Sequence, residues 1–440
     1  MTPAATGEPG LAAVAARVRL LAPLRNRDFR LLWTGMTLSL LGDGVLLVAL
    51  AWQAYQLVDR PSAMAAVGVA LTLPQVLLVL VAGVVSDRVD RRLLMLTADV
   101  MRAAALGLLG ILAMSDRLEL WHLLTVIAVY GTAAAFFLPS FDALVPEVVD
   151  EELRVEANAL DQFVRPAALW LLGPAIGGVL VASHGAGPAF VLDALTFVGS
   201  ATCLVLMRRR EPSSSASAQG EPVTVRGAVL ELREGLQYVA AAPWLWASLV
   251  AATFTYLLFL GPTEVLLPHL VKNELHGSAG DLGLILAAGG VSALVTASVL
   301  AQTGIPRRVM TFTYAAWSLA TLGVAGYGLV QTRGQAMVVA ALVAGCEAAG
   351  AVAWMTTKQR FTPSGLLGRV SAFEWFISMA LVPLSYALSA PAAAHWGARA
   401  TLIGAGVVGA LLTAGFVFVP GVRDPESRPL GTMTPCPSPS

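Results

Sequence analysis

Charged side chains are scarce in this sequence, since Asp, Glu, Lys and Arg together make up 13% of its 440 residues. A soluble domain carries about a quarter charged residues, so this chain has too few of them to cover a surface that faces water. Hydrophobic residues make up 57% of the chain, and the mean hydropathy is +0.73. Because a helix needs about 20 apolar residues to cross the hydrocarbon core, the composition predicts many membrane crossings. The net charge of zero argues against a nucleic acid as partner.

Residues that mark a metal site, a cofactor or an ATP-driven pump are also lacking. The three cysteines and five histidines show neither metal-ligand spacing nor a disulfide framework, so no metal and no cofactor is expected. An ATP-binding loop needs Gly-Lys-Ser/Thr, and neither lysine, Lys272 or Lys358, follows a glycine. His-Glu-x-x-His and Gly-x-Ser-x-Gly are absent as well, so the sequence does not predict an enzyme.

What is present is a series of twelve long apolar runs, each of which predicts a membrane-spanning helix. An Arg-rich and Ser-rich stretch divides them into two sets of six, which predicts an all-α protein with two six-helix bundles. The runs lie near 31–57, 64–86, 93–114, 121–144, 157–183, 188–207, 244–268, 281–303, 310–330, 335–357, 370–390 and 399–419. The predicted divisions are a cytoplasmic N-terminal segment at 1–30, a first bundle at 31–207, a cytoplasmic linker at 208–243, a second bundle at 244–419 and a disordered tail at 420–440.

The distribution of basic residues predicts the orientation in the membrane. With the N-terminus inside, 21 of the 28 Lys and Arg residues fall in cytoplasmic segments and five in outer ones. Cytoplasmic loops carry an excess of Lys and Arg, so this arrangement is the favoured one. We therefore expect a multi-pass protein of the plasma membrane with both termini in the cytoplasm.

The two halves repeat each other. The basic loop Asp87–Arg92 matches the loop Gly304–Val309, and Pro146 matches Pro363, in both cases at an offset of 217 residues. Parallel repeats of this kind place a substrate site near the membrane midplane between the halves.

The loop after the second run carries the most informative motif, Gly83-Val-Val-Ser-Asp-Arg-Val-Asp-Arg-Arg92. It resembles the signature loop of the major facilitator superfamily, with Asp90 in place of the usual second glycine. The resemblance implies a gate in which Asp87 is stabilised at the N-terminus of the eleventh helix, near Val370. A basic loop with no gating role would explain the two last arginines, but not the glycine and aspartate at this spacing. The implied gate residues, including an aspartate that pairs with an arginine such as Arg91, are Gly83, Asp87, Arg88, Arg91, Arg92 and Asp142.

The fifth run contains Gly173-Pro174-Ala-Ile-Gly177-Gly178, which resembles the end of a motif found in exporters of this superfamily. Glycines allow a neighbouring helix to approach closely, and the proline permits a bend. The upstream glycines of that motif are absent, and Leu169 stands where one belongs. Ordinary packing of small residues is the alternative interpretation.

Further stretches are similar to the efflux branch that includes drug, macrolide and siderophore exporters. They are Leu24–Trp33, Leu41–Gly44, Val145–Leu160 and Pro188–Phe197. The resemblance implies the major facilitator fold of twelve helices and a proton-driven exporter of small amphipathic molecules, acting as a monomer. A lipid or lysolipid flippase on the same fold and a non-transporting membrane scaffold are the alternatives.

Two carboxylates near the middle of predicted helices, Asp43 and Glu347, are candidates for proton coupling. An ionisable group is costly in lipid and is by default a functional-site hypothesis. A structural carboxylate satisfied by local hydrogen bonds is the alternative. Asp193 and the pair Asp99 and Arg102, spaced three apart, are interpreted as structural.

Side chains in runs that line the central cavity by family resemblance are candidates for the substrate wall. An apolar cavity with few polar groups suits drug-sized amphipathic molecules. For any one aromatic, a lipid-facing position is the alternative. The candidates are Trp52, Tyr55, Phe136, Phe137, Tyr256, Phe259, Glu264 and Trp354.

Overall fold

The computed structural model describes residues 21–149, 151–208 and 236–427. Twelve helices in this part of the chain are long and apolar enough to cross a membrane, and none of its residues forms a strand. The predicted all-helical membrane protein with twelve spans is confirmed. The helices are α1 (Arg27–Leu57), α2 (Pro61–Arg88), α3 (Arg91–Met114), α4 (Leu120–Val148), α5 (Arg154–Pro166, Ala167–Leu172 and Gly173–His184), α6 (Ala186–Leu206), α7 (Pro243–His269, with a further turn Leu270–Glu274), α8 (Ala279–Thr303), α9 (Val309–Leu329), α10 (Arg333–Phe361), α11 (Ser364–Met379 and Val382–Trp396) and α12 (Ala398–Phe416).

Side-chain caps fix several helix starts. The Asn26 side chain accepts hydrogen bonds from two backbone N–H groups at the start of α1. Asp90, the residue that replaces the family glycine, accepts in the same way from the N–H groups of Arg92 and Leu93 and so caps α3. These caps satisfy backbone donors that the first turn of a helix leaves without intrahelical partners. Asp90 therefore has a local structural role.

The sharp connections from α5 to α6 and from α11 to α12 are each made by one glycine with positive φ. Gly185 has φ +80° and Gly397 has φ +84°, a region that side chains with a Cβ rarely adopt. The two glycines occupy corresponding places in the repeat, so both halves turn by the same device.

The described residues form two compact units. The first contains residues 21–208 together with 271–290. Within it α1 packs against α6 and α5, α3 against α6 and α4, and α2 against α4. The guanidinium of Arg92 caps α6, since Nε and Nη2 donate to the carbonyls of Leu204 (2.6 Å) and Val205 (2.8 Å). This basic side chain at a helix C-terminus satisfies carbonyls that lack intrahelical partners.

A π-helical turn, Ala167–Leu172, interrupts α5 after Pro166. A proline removes one backbone donor, and single π turns inside α-helices accommodate such a disruption. The turn ends where the glycine motif of α5 begins.

The second unit contains residues 236–270 and 291–427. Within it α9 packs against α12 and α10, and α7 against α12 and α11. The rings of Trp244 and Trp317 lie 5.9 and 6.0 Å from the ring of Trp354 in its core. Aromatic clusters of this size contribute a large buried area.

The sequence places a disordered tail at 420–440, but part of that segment is ordered. Asp424–Ser427 is helical, and the Glu426 carboxylate accepts a hydrogen bond from the backbone N of Thr311 at 2.5 Å. The negative charge lies at the start of α9, where exposed N–H groups and the helix dipole stabilise it. Residues 428–440 and most of the predicted linker, 209–235, lie outside the described residues.

Candidate functional site

Asp43 lies in the middle of α1 and is half-buried. The Tyr130 hydroxyl on α4 donates a hydrogen bond to Oδ1 of Asp43. A carboxylate at this depth is unfavourable in its ionised form unless it is paired, hydrogen-bonded or wetted. Asp43 thus has one stabilising donor and retains access to its surroundings.

Three further ionisable groups lie close to Asp43 in the first unit. Arg102 on α3 pairs with Asp99 one turn before it, with Nη2 to Oδ1 at 2.5 Å. The guanidinium also lies 4.3 Å from the ring centroid of Phe137 and 4.2 Å from that of Phe197. Asp193 on α6 is wholly buried, and its Oδ1 accepts a hydrogen bond from Thr196 at 3.1 Å.

The sequence predicts separate structural roles for Asp99, Arg102 and Asp193. The structure brings them together with Asp43 from three helices. Electrostatic interactions join Asp43 to both Arg102 and Asp193. The sequence does not point to Tyr130, because a tyrosine in an apolar run has no distinctive spacing.

Among the described residues, no group of three or more His, Cys, Asp or Glu side chains is arranged to hold a metal ion. The carboxyl groups of the cluster in the first unit can bind and release protons, and the guanidinium of Arg102 can compensate a negative charge.

In the second unit the carboxylates within the spanning helices lie on α7, α10 and α11. Glu347 on α10 is exposed, and Glu264 on α7 accepts a hydrogen bond from the Tyr386 hydroxyl. Glu347 is within electrostatic range of Glu264 and of Tyr256. This group is more open than the cluster around Asp43 and has no cation of comparable burial beside Glu347 among the described residues.

A separate ion pair joins α10 to α11. The Nζ of Lys358 and the indole N–H of Trp354 both donate to the Glu374 carboxylate. Only 3% of Lys358 is exposed. Trp354 therefore has a structural partner within its own unit.

The predicted cavity side chains differ in burial. Tyr55, Phe137 and Trp354 are buried within their units, at 1%, 6% and 6% exposure. Half-buried positions are taken by Trp52, Phe136, Tyr256, Phe259 and Glu264. An apolar groove of about 420 Å³ between α8, α9 and α10 is lined by none of these residues. The assignment of a substrate wall stays a prediction, and the half-buried residues fit it better than the buried ones.

The predicted gate is described only in part. Gly83, Asp87 and Arg88 lie towards the end of α2, but the side chains of Asp87 and Arg88 are not among those that the structure describes. Arg91 forms an ion pair with Glu147 at the end of α4. Asp142, the predicted partner of Arg91, is exposed and interacts electrostatically with Arg165 on α5. The gating role of these residues stays a prediction.

The glycine motif of α5 packs on two helices within the first unit. A Cβ on Gly173 would lie 2.5 Å from the Cα of Gly44 on α1. A Cβ on Gly178 would lie 2.9 Å from the Cα of Gly283 on α8 and 3.0 Å from the carbonyl oxygen of Ala279. Real Cβ atoms do not approach so closely, so α1, α5 and α8 meet at a distance that only glycine permits.

The remaining members of the motif continue the same contacts. Gly177 meets the backbone of Val45 on α1, and the carbonyl oxygen of Pro174 lies 2.4 Å from the position of a Cβ on Gly283. The four motif residues thus share one role, the close approach of helices.

The end of α1 is held by the turn that follows α7. Lys272 Nζ donates to the backbone oxygen of Tyr55 at 2.6 Å and lies 3.2 Å from Oδ1 of Asp59. The Asn273 amide donates to the same carboxylate oxygen at 2.9 Å. These polar contacts lie at the same end of α5 as the glycine contact with α8.

The sequence profile of the transmembrane secretion effector family matches residues 18–430. The multidrug efflux pump Tap of Mycolicibacterium fortuitum is 25% identical over 394 residues, which are 87% of this chain and 93% of that protein. The uncharacterised MFS-type transporter YfiS of Bacillus subtilis (strain 168) is 27% identical over 284 residues, 64% of this chain and 65% of that one. Macrolide efflux protein A of Streptococcus pyogenes is 23% identical over 250 residues, 57% and 60% of the two chains. The matches to YfiS and to macrolide efflux protein A thus span less than two thirds of those proteins.

Two solved structures have the same fold. The nucleoside transporter NupG superposes with a TM-score of 0.62 at 13% identity, over 88% of this chain and 99% of that one. A bacterial homologue of the iron transporter ferroportin, in an inward-facing state, gives 0.63 at 15% identity, over 90% and 99%. At these identities the likeness concerns the fold alone, and it agrees with the fold expected from the sequence.

Proposed function

The chain belongs to the transmembrane secretion effector family of the major facilitator superfamily, and on that premise we propose that this transporter exports small amphipathic molecules in exchange for protons. Relatives named as a multidrug efflux pump and a macrolide efflux protein support export of compounds of this class. The proposed setting is the plasma membrane, with both termini in the cytoplasm and a single chain as the working unit.

The observation that carries the proton proposal is the placement of Asp43. It is a half-buried carboxylate at the middle of a spanning helix, bonded to the Tyr130 hydroxyl and close to one buried guanidinium. Such a group is neutral when it faces an acidic compartment and can release its proton when it faces a less acidic one. Glu347, exposed on α10, is the proposed second group.

The proposed transporter moves its substrate by alternating access, that is, by changing between two conformational states. In this proposal Asp87 and its loop stabilise one of two states, and the half-buried side chains Trp52, Phe136, Tyr256 and Phe259 contact the substrate. A weakly polar cavity suits amphipathic cargo because burial of apolar surface supplies the affinity, while a few polar groups set orientation.

The test uses the purified full chain in proteoliposomes with a pH gradient as the sole driving force. A macrolide and a lipophilic cationic dye are the probes, and internal pH is followed alongside probe movement. Export by antiport predicts probe accumulation coupled to proton movement in the opposite direction. Asp43→Asn, which mimics the protonated carboxyl, should bind the probe but lose the dependence on the pH gradient.

Other outcomes would point to the alternatives. Movement of a fluorescent lysolipid between leaflets, with no movement of either probe, would indicate a flippase. If no solute moves and no protons flow, the chain is a scaffold. Wild-type accumulation by Asp43→Asn would place the coupling group at Glu347 or elsewhere.

A further inference from the structure

Four helices of the first unit bring ionisable side chains to one place: Asp43 from α1, Asp99 and Arg102 from α3, Tyr130 from α4 and Asp193 from α6. Asp43 is half-buried, whereas the other four residues are each at most 5% exposed: Asp99, Arg102, Tyr130 and Asp193. Three carboxyl groups thus share one guanidinium. If all three were ionised, the site would hold two uncompensated negative charges at membrane depth, where each is very unfavourable.

Geometry separates the three carboxyl groups. Asp99 lies 2.5 Å from Arg102, so its charge is compensated directly. The rings of Phe137 and Phe197 lie against the same guanidinium and exclude water from it. A buried arginine retains its proton in proteins. Asp99 is therefore the fixed anion of the cluster.

Asp193 has no such partner. It is 0% exposed, Oδ1 accepts from the Thr196 hydroxyl, and Oδ2 has no hydrogen-bond partner among the described residues. Oδ2 of Asp99 lacks a hydrogen-bond partner as well, but Asp99 has the ion pair with Arg102. The backbone of α1 closes the site from the other side, since a Cβ on Gly42 would lie 2.0 Å from Oδ1 of Asp193. An unpartnered carboxylate oxygen in a closed site is unfavourable as an anion and acceptable as part of a neutral acid.

The surroundings of Asp193 also favour a neutral, protonated carboxyl. The charged or titratable groups that interact with it from the adjoining helices are Asp43 on α1, Arg102 on α3 and Tyr130 on α4. Asp43 adds negative potential, and its effect on Asp193 exceeds the opposing effect of the Arg102 guanidinium. A single free carboxyl oxygen is enough to hold a proton, whereas a metal ion requires several ligands.

Asp43 differs from both Asp99 and Asp193 in its exposure. It is half-buried, unlike the other two carboxyl groups, and it has the Tyr130 hydroxyl as a donor. The guanidinium of Arg102 interacts electrostatically with Asp43 as well, and its Nε has no partner among the described residues. Arg102 can therefore compensate Asp43 when Asp43 ionises.

We propose that the first unit holds two protons of different kinds: a permanent one on Oδ2 of Asp193 and an exchangeable one on Asp43, with Asp99 as a fixed anion. Asp43 then contributes one proton per cycle, which passes from its carboxyl to water on one side and is regained from the other. Arg102 acts as a positioning residue that compensates the charge left behind. The inference deepens the proposed antiport, but the state of Asp193 can be tested without it.

Infrared spectroscopy of the purified full chain tests the assignment, because a protonated buried carboxyl has a carbonyl band distinct from that of a carboxylate. The wild type should show one such band that persists at all pH values at which the protein stays folded and, besides any band of Glu347, a second that disappears as pH rises. Asp193→Asn should remove the persistent band, and Asp43→Asn the titrating one. Asp99→Asn should remove neither.

Thr196→Val provides a second variant that leaves every carboxyl in place. It removes the Thr196 hydroxyl, which donates within reach of both the backbone oxygen of Asp193 (2.7 Å) and its Oδ1 (3.1 Å). The persistent band should therefore move in frequency, while the titrating band stays unchanged. This readout does not depend on replacing Asp193 itself.

A persistent band with these responses supports the inference whether or not any solute is transported, so its success does not depend on the antiport proposal. The inference is overturned if the wild type has no persistent band, if the Asp193 band titrates together with that of Asp43, or if Thr196→Val leaves both bands in place. In proteoliposomes, the pH midpoint of probe transport by Asp193→Asn should match that of the wild type, whatever its rate. A shifted midpoint would assign the exchangeable proton to the pair.

Discussion

The Tyr130 hydroxyl on α4 donates a hydrogen bond to Oδ1 of Asp43 on α1. This contact joins two helices through the one half-buried carboxylate of the cluster in the first unit. It stabilises the ionised form of Asp43, because a hydrogen bond to a charged acceptor is stronger than one to a neutral acceptor. The affinity of the site for its proton therefore depends on a tyrosine in another helix.

Tyr130→Phe should move the pH midpoint of probe transport to higher pH by about one unit, since a hydrogen bond to a charged group contributes about 1.5 kcal/mol. The ionised form loses its donor, so the proton leaves only at higher pH. Transport by proteoliposomes over a series of pH values measures the shift. Tyr327→Phe is the control, because Tyr327 is equally buried but lies in the second unit. An unchanged midpoint in Tyr130→Phe would contradict the role of the hydroxyl.

Asp87→Asn should reduce probe transport about fivefold without loss of folded protein, since a carboxylate at a helix N-terminus contributes roughly 1 kcal/mol. The measurement is initial transport rate at equal amounts of purified protein. Asp90→Asn is the matched control three residues away: asparagine caps a helix as well as aspartate does, so the cap of α3 is retained. Full transport by Asp87→Asn, or an equal loss in both variants, would contradict the gate assignment.

Gly178→Ala should lower stability by about 1–3 kcal/mol, as overpacking in a close contact does. The added Cβ would lie 2.9 Å from the Cα of Gly283, so α5 and α8 must separate. Gly404→Ala is the control, since a Cβ on Gly404 meets nothing within 4 Å. Alanine is the better helix former, so the control should be neutral or stabilised by up to about 1 kcal/mol. Thermal unfolding in detergent compares the two, and equal midpoints would show that the helices tolerate the methyl group.

The two lysines should differ strongly in their contribution to stability. Lys358→Met removes a buried cation from Glu374 and should cost about 3 kcal/mol, because it leaves a largely buried carboxylate unpaired. Lys272→Met removes a partner of Asp59, whose side chain is 56% exposed, and should cost about 1 kcal/mol or less. Denaturant or thermal unfolding of both variants measures the difference. Restoration of stability in the double variant Lys358→Met, Glu374→Gln would confirm that the unpaired charge is the cause.

The helix number and the glycine motif could be predicted because each depends only on a short stretch of sequence. Twelve apolar runs predict twelve spans, since a membrane requires a continuous apolar stretch whatever the neighbouring helices do. Gly173, Gly177 and Gly178 predict close approach because the absence of a side chain is a property of the residue. The partners of that approach, Gly44 and Gly283, could not be predicted, since they depend on which helices pack together.

The sequence by itself determined that this protein crosses the membrane many times, and it placed Asp43 at the depth where an ionisable group is most costly. Only the tertiary structure decided what surrounds Asp43. Asp99 and Arg102 pair along one helix, as their spacing predicts, but Asp193 lies 150 residues further along the chain than Asp43 and reaches the same place through the packing of α1 against α6. The protonation of a carboxyl depends on all charges and donors within a few ångströms, irrespective of sequence distance. For that reason three aspartates with the same chemistry take different roles in one cluster: Asp99 beside a guanidinium, Asp193 closed in without an ion-pair partner, and Asp43 at the edge with a tyrosine.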